Sequence, residues 1–126
     1  MNKEEIFEKL NELDLDKEKY IVISGASLTV QEITSISSDI DLSCSEEYYK
    51  TIDWKTKNGY FNTEIKYKDC YEIGTNFYDT DNIVVINGYK FMNLDACLEL
   101  KKLENKKKDQ KLIKKLDLEL CLKDNY

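Results

Sequence analysis

Two stretches within residues 20–45 constrain the fold of this chain more than any other part of it. The apolar run YIVI at residues 20–23 leads directly into the small residues SGAS at 24–27. About a dozen residues later, Asp39 and Asp41 alternate with apolar neighbours. The first stretch is typical of a buried strand that ends at a glycine, and the second has the two-residue period of a strand. The chain therefore needs a sheet with one acidic and one apolar side.

The two aspartates predict a cation site. Side chains two positions apart on a strand point to the same face, about 6.6 Å apart along it, so Asp39 and Asp41 share one face. Ile40 and Leu42 then face the core. Two close carboxylates repel each other and are costly to desolvate unless a cation or a proton intervenes. A divalent cation with oxygen ligands, above all Mg²⁺, is the natural partner, although Asp-x-Asp also occurs on solvated sheet edges.

The small-residue turn predicts a place for a phosphate. A strand that ends at Gly25-Ala26-Ser27 and runs into a helix leaves backbone N–H groups and a hydroxyl at the start of that helix. Small residues let the backbone approach an anion, and the helix dipole favours negative charge. We expect the helix to begin at the Ser27 turn. The alternative is that Gly25 only makes the turn and Ser27 only caps the helix.

The remaining patterns predict an α/β or α+β fold, with a mixed sheet and flanking helices in a single domain over residues 1–126. Apolar spacing indicates an amphipathic helix at residues 3–13. Later segments predict strands at 60–68 and 69–77, a hairpin at 82–93 with a type I′ turn at Asn87-Gly88, and two helices after Asn93. The second of these helices carries an apolar stripe of Leu112, Ile113, Leu116 and Leu120.

Charge and composition narrow the chemistry. The chain has no histidine, which excludes a Ser-His-Asp triad and removes the usual general base near neutral pH. Residues 101–115 carry a net charge of +6, whereas the whole chain carries −6, so the remaining residues carry −12. A basic stripe on an acidic body favours an anionic ligand at that stripe. A solvated helix face is the simpler origin of the same lysines.

Other bulk features predict a cytoplasmic protein without a membrane segment. No apolar run approaches the roughly 20 residues that span a bilayer, and the acidic N-terminus is unlike a signal peptide. The four cysteines are widely spaced and lack a C-x-x-C pair, which argues against a zinc site. Reduced, mostly buried thiols are therefore expected.

In combination, Gly25, Ser27, Asp39 and Asp41 resemble the nucleotidyltransferase superfamily that includes the DNA polymerase beta-like catalytic core. That superfamily is marked by a glycine-serine turn, roughly ten residues, and then D-x-D. The segment at residues 23–45 is especially similar to small bacterial and phage-type members, including those of abortive-infection and toxin–antitoxin systems. The resemblance spans about residues 20–116.

The resemblance also implies a third carboxylate and a set of phosphate-binding residues. Glu72, in the hydrophobic-acid-hydrophobic segment YEI, is the first candidate for the third carboxylate, and Glu64 is the second. The family's lysine motif maps onto Lys101, Lys106, Lys108 and Asp109. Lys106 stands where the family usually has arginine, so bidentate phosphate recognition becomes a point charge there. Leu112 stands where the family often has another aspartate.

What the resemblance implies chemically is transfer of a nucleoside monophosphate from an NTP to an acceptor hydroxyl. Two Mg²⁺ ions would be held by Asp39, Asp41 and Glu72, with Glu72 as metal ligand or proton acceptor. The nucleotide phosphates would lie against Gly25, Ala26 and Ser27 and against the lysines, with Asp109 orienting a lysine or serving only as a helix-start acid.

Several questions stay open at the sequence level. The acceptor could be RNA, a protein or a small molecule, and a core this small could borrow its acceptor site from a second subunit of a homodimer or from a partner protein. A phage-defence or toxin–antitoxin context follows from the resemblance alone. A catalytically inactive regulator that binds nucleotide, RNA or a partner is the alternative function. A nucleic-acid-binding module that uses the lysine helices ranks third, because no aromatic stacking residues are interleaved with the lysines.

Overall fold

The computed structural model describes residues 1–52, 57–58, 64–67 and 70–124. This part of the chain folds as a mixed α/β structure, as the sequence predicts. Its α-helices are α1 (Lys3–Glu12), α2 (Ser24–Val30), α3 (Glu46–Thr51), α4 (Leu94–Glu104) and α5 (Gln110–Asp124). Its strands are β1 (Tyr20–Ile23), β2 (Ile40–Cys44), β3 (Lys57–Asn58), β4 (Glu64–Tyr67), β5 (Tyr71–Gly74), β6 (Ile83–Ile86) and β7 (Tyr89–Met92).

The strands form one mixed sheet in the order β3-β4-β5-β2-β1-β7-β6. β1 runs antiparallel to β2 and parallel to β7, and β2 runs parallel to β5. The outer pairs β3–β4, β4–β5 and β6–β7 are antiparallel. This order puts β2, which carries Asp41 and begins directly after Asp39, next to both the strand that ends at the small-residue turn and the strand that carries Glu72.

Several local predictions are confirmed. The helix predicted at residues 3–13 is α1, and it begins with a capping box in which the Asn2 side chain accepts from the Glu5 N–H and the Glu5 carboxylate accepts from the Asn2 N–H. Asn87 and Gly88 have φ values of 53° and 82°, as a type I′ hairpin turn requires. Asn93 caps α4 by accepting a hydrogen bond of 2.8 Å from the Ala96 N–H. Of the strand predicted at 60–68, β4 covers Glu64–Tyr67, and residues 60–63 and 68 lie outside the described residues.

The central strands divide their side chains between two hydrophobic clusters, one on each face of the sheet. Tyr20 and Val22 belong to the cluster that α1 covers, whereas Ile21 and Ile23 belong to the cluster with α4 and α5. Ile40, Leu42 and Cys44 of β2 and Tyr71 and Ile73 of β5 all pack in the α1 cluster. Because side chains alternate along a strand, Asp41 and Glu72 lie on the opposite face, toward α4 and α5.

The start of α2 differs from the prediction. The helix begins at Ser24, directly after β1, and not at Ser27. The left-handed backbone conformation that makes this abrupt turn belongs to Ser24, with φ 59°, and not to Gly25. A non-glycine residue in this region is uncommon and costs free energy, so the surrounding structure has to hold Ser24 there.

The expectation of reduced, mostly buried cysteines is met only in part. All four are free, and Cys44 and Cys97 are buried, but Cys70 is half-buried and Cys121 is exposed. Burial raises the pKa of the Cys97 thiol to about 11, so this thiol stays protonated near neutral pH. Among the described residues, no helix combines the length and the hydrophobicity that crossing a membrane demands.

Candidate active site

Three acidic side chains meet on the α4–α5 face of the sheet. One carboxylate oxygen from each of Asp39, Asp41 and Glu72 lies within 4.8 Å of the other two. All three residues are half-buried. Neighbouring charges of one sign at this spacing raise the free energy of the site unless a cation or a proton offsets them.

The strand register explains why these three residues meet. Asp41 lies opposite Glu72 across the parallel β2–β5 pair, and neighbouring strands are about 4.8 Å apart. Asp39 immediately precedes β2, and its side chain falls on the same face as that of Asp41. Glu64, the second candidate for the third carboxylate, pairs through its backbone with Gly74, and its side chain lies outside the described part of the chain.

A short loop before β2 holds Asp39 against the start of α2. The Ser37 hydroxyl donates a hydrogen bond of 2.7 Å to the Asp39 carbonyl oxygen. Ser37 also exchanges two backbone hydrogen bonds with Met1, of 2.6 and 2.8 Å. A Cβ atom on Gly25 would lie 3.2 Å from the Ser37 hydroxyl oxygen, so the absence of a side chain lets the loop pack closely on α2. Both segments then line the same cavity.

The structure does not place Ser27 on the cavity wall, where its predicted phosphate-binding role would put it. Ser27 is fully buried, and its hydroxyl donates a hydrogen bond of 2.6 Å to the carbonyl oxygen of Met92. The Met92 carbonyl oxygen also accepts from the Gln31 side-chain amide at 2.9 Å. Ala26 is buried in the core as well. Because the helix begins three residues earlier than predicted, Ser27 faces the core and Ser24 and Gly25 line the cavity instead.

Replacing Ser27 with Ala is therefore expected to affect stability and not ligand binding. The change removes a buried donor and leaves the Met92 carbonyl with less of its hydrogen bonding, which costs about 1–2 kcal/mol of unfolding free energy. Urea denaturation measures this loss. Affinity for Mg²⁺ and tripolyphosphate, measured by calorimetry below the unfolding transition, should stay within about twofold of wild type. A tenfold loss of tripolyphosphate affinity at unchanged stability would show instead that Ser27 takes part in phosphate binding.

The predicted lysines line the same cavity as the acids. Lys101, Lys106 and Lys108 all line it, from the end of α4 and the segment that leads to α5. Lys106 forms an ion pair of 3.0 Å with Glu104, which also lines the cavity. Lys108 is exposed. The cavity therefore combines carboxylates that suit a metal with ammonium groups that suit phosphate oxygens.

Asp109 does not line this cavity but pairs with a lysine that does. Its carboxylate lies 3.8 Å from the Lys101 ammonium, and the two side chains are only 10% and 13% exposed. Asp109 sits in the 3₁₀ turn Lys107–Asp109, which follows the left-handed end of α4 at Asn105. Of the two roles that the sequence left open for Asp109, this geometry favours orientation of a lysine.

The cavity has a volume of about 550 Å³, within the range of small-molecule sites. Its wall includes residues that sequence reasoning missed: Ser24, Ser37, Ser38, Glu104, Asn76 and Phe77. Asn76 and Phe77 follow the end of β5, and loops at strand ends often carry function. Their position just after a predicted strand was the one sequence feature that could have indicated them. The role of Ser24 in the turn was not predicted because the adjacent Gly25 adopts a left-handed conformation more readily.

The acid cluster fits Mg²⁺ by its chemistry and spacing. Mg²⁺ binds oxygen ligands at 2.0–2.1 Å in octahedral geometry, which places two bound oxygens about 3–4 Å apart. The observed limit of 4.8 Å requires only a small closure of the side chains. Three carboxylates, without histidine or cysteine nearby in the cavity wall that the described residues form, are a donor set for a hard cation and not for zinc.

Comparison with known proteins does not assign this site. No family model matches the chain, and neither the curated proteins nor the solved structures contain a significant match to it.

Proposed function

We propose that this protein transfers a nucleoside monophosphate from an NTP to an acceptor hydroxyl in a Mg²⁺-dependent reaction. The single observation that carries the proposal is the convergence of Asp39, Asp41 and Glu72 within 4.8 Å on a wall of the cavity that the lysines also line. Carboxylates that can bind a metal and cations that can bind phosphate, brought together in one cavity, are the parts that phosphoryl-group transfer needs. The resemblance of residues 20–116 to the nucleotidyltransferase superfamily supports the same chemistry.

In this proposal the carboxylates hold up to two Mg²⁺ ions, which supply charge neutralisation for the attacking and leaving oxygens. Asp39 and Asp41 bind metal and orient the phosphates. Glu72 lies beside the acceptor hydroxyl and takes its proton as the hydroxyl oxygen attacks the α-phosphorus. The bond between the α-phosphorus and the bridging oxygen breaks, and pyrophosphate leaves.

The lysines stabilise the leaving pyrophosphate in this proposal. Lys101 is drawn toward Asp109 by an ion pair of 3.8 Å between two largely buried side chains, which restricts its ammonium group before the nucleotide binds. Lys106 and Lys108 are exposed and add charge to the cavity wall. Fixed charges cost no reorganisation during the reaction, which makes Lys101 the most effective of the three. The phosphates also pass Ser24 and Gly25 at the start of α2.

A second candidate function is nucleotide binding without turnover, and Leu112 is the observation that favours it. Leu112 is half-buried and lines the cavity where the resemblance calls for another carboxylate. An apolar side chain there supplies no metal ligand and no proton acceptor. A protein of this kind would act as a regulator that binds nucleotide, RNA or a partner protein.

The test is incubation of the purified protein with Mg²⁺ and each NTP in a cell extract, with label either on the α- or on the γ-phosphate. Nucleotidyl transfer labels an acceptor from the α-labelled NTP only and releases pyrophosphate. Label from the γ-phosphate would instead indicate a kinase and contradict the proposal. Calorimetric binding of a non-hydrolysable NTP with no pyrophosphate release would favour the second candidate. The labelled species identifies the acceptor.

The proposal includes a cytoplasmic location, because four free thiols suit a reducing compartment. It also leaves the acceptor to be found among RNA, proteins and small molecules. If a partner or a second copy of this chain supplies the acceptor site, size-exclusion chromatography of the active species will give more than the monomer mass. Activity of a strict monomer would remove that part of the proposal.

A further inference from the structure

Phe77 is an exposed aromatic residue in a strained backbone conformation on the wall of the cavity. Its side chain is 48% exposed, and its φ is 63°, in the left-handed region that bulky residues avoid. Among the described residues it is the one aromatic side chain that lines the cavity. Neither burial nor backbone preference explains a phenylalanine at this position. A residue kept under strain at a cavity wall points to a functional role.

The loop that carries Phe77 is anchored to the strand that carries Asp41. The Ser43 hydroxyl, which is fully buried on β2, donates a hydrogen bond to the carbonyl oxygen of Asn76. Ser43 also lies opposite Gly74, the last residue of β5. These contacts hold the loop backbone at the residue before Phe77.

The strand register places Phe77 at the opposite end of the cavity from the Asp39 loop. Asp39 precedes β2, whereas Phe77 comes three residues after β5 ends, and the two strands run in the same direction. Asp41 and Ser43 are two positions, or about 6.6 Å, apart along β2. Along these two strands the cavity wall thus changes from the acid cluster to an aromatic side chain. A nucleotide has the same polarity, because its charged phosphates and its flat base are at opposite ends.

We infer that the nucleobase of the donor nucleotide stacks on the Phe77 ring. The inference rests on the proposed function, since it assumes that the phosphates lie at the acid cluster. Every base offers a π-face, so one phenyl ring can bind bases without hydrogen-bond readout. Stacking of this kind makes Phe77 a binding residue that selects nucleotides over bare polyphosphates and favours purines, which have the larger ring system.

The test compares two probes in the presence of Mg²⁺: inorganic tripolyphosphate and a non-hydrolysable analogue of ATP. Wild-type protein should bind both, and the nucleotide more tightly. In Phe77→Ala the nucleotide affinity should fall by roughly 5- to 150-fold, whereas the tripolyphosphate affinity should stay within about twofold. Phe77→Tyr keeps a ring and should restore the nucleotide affinity. Calorimetry measures all the affinities.

Ile36→Ala is the matched control, because Ile36 is the other exposed large hydrophobic side chain on the cavity wall among the described residues. It should leave the ratio of the two affinities unchanged. A selective nucleotide loss in Ile36→Ala but not in Phe77→Ala would overturn the inference, as would equal losses for both probes in Phe77→Ala. Failure of wild-type protein to bind tripolyphosphate with Mg²⁺ would contradict the proposed function itself.

Phe77→Asn separates a binding role from a folding role. Asparagine adopts the left-handed conformation more readily than phenylalanine, so the thermal unfolding midpoint should be unchanged or higher in this variant. Its nucleotide affinity should fall as in Phe77→Ala. A clearly lower midpoint together with unchanged nucleotide affinity would show that the ring serves the fold, and would overturn the inference.

Discussion

Replacing Asp41 with Asn is expected to lower nucleotidyl transfer by at least about a hundredfold while the fold stays intact. Asp41 lies at the centre of the acid cluster, opposite Glu72, and asparagine has nearly the same shape without the charge. Charge stabilisation by a bound metal is worth several kcal/mol in a phosphoryl-transfer transition state, and each 1.4 kcal/mol is tenfold in rate. Pyrophosphate release and labelling of the acceptor measure the loss.

The same substitution should have the opposite effect on stability without metal. Removing one of three neighbouring negative charges relieves their repulsion, so the unfolding midpoint of Asp41→Asn in EDTA should equal or exceed that of wild type. Mg²⁺ with a non-hydrolysable NTP should raise the midpoint of wild type much more than that of the variant. Glu8→Gln removes an exposed carboxylate on α1 and is the control. Full transfer activity in Asp41→Asn would refute the assignment of the site.

Replacing Lys101 with Met is expected to cause the largest loss of stability among the charged residues of the cavity. The change leaves the Asp109 carboxylate buried and without its ion-pair partner, a situation that costs about 3 kcal/mol or more. The pair also joins the end of α4 to the turn before α5, so its loss should loosen the helix hairpin. Urea denaturation at neutral pH measures the change in unfolding free energy.

The chain offers a closely matched control for this effect. Lys102 and Asp117 also lie 3.8 Å apart and also connect α4 with α5, but their side chains are 47% and 54% exposed. Lys102→Met should therefore cost no more than about 1 kcal/mol, as is usual for surface ion pairs. In the double variant Lys101→Met/Asp109→Asn, much of the stability should return because no buried charge is left alone. Equal losses in the two single lysine variants would show that burial of the Lys101–Asp109 pair has no energetic consequence.

Much of the fold follows from local sequence patterns. The hairpin turn at Asn87-Gly88 and the helix cap at Asn93 are determined within a few residues, because backbone sterics and one side-chain hydrogen bond decide them. The two faces of β2 follow from alternation, which already places Ile40 and Leu42 in the core and leaves Asp41 outside it.

Part of the candidate site was predictable, since the predicted acids, Gly25 and the three predicted lysines all line the cavity. Alternation puts Asp39 and Asp41 together, and the resemblance to nucleotidyltransferases directs attention to Glu72. The register of the β2–β5 pair, which brings Glu72 opposite Asp41, joins residues 31 positions apart in the chain and depends on packing of the whole sheet. The error at Ser27 has the same origin: one left-handed residue, Ser24, starts the helix three positions early and turns Ser27 into the core.

The sequence by itself determined the mixed α/β class, the strand alternation that keeps two aspartates out of the core, and the lysine-rich end of the chain, since each depends on neighbours within a few residues. Tertiary structure alone decided that Lys101 is held by a buried Asp109 and that Phe77 reaches the cavity in a strained conformation. These features depend on the balance between burial, ion pairing and backbone strain across distant elements. Such a balance exists only once the sheet and the α4–α5 hairpin have packed together.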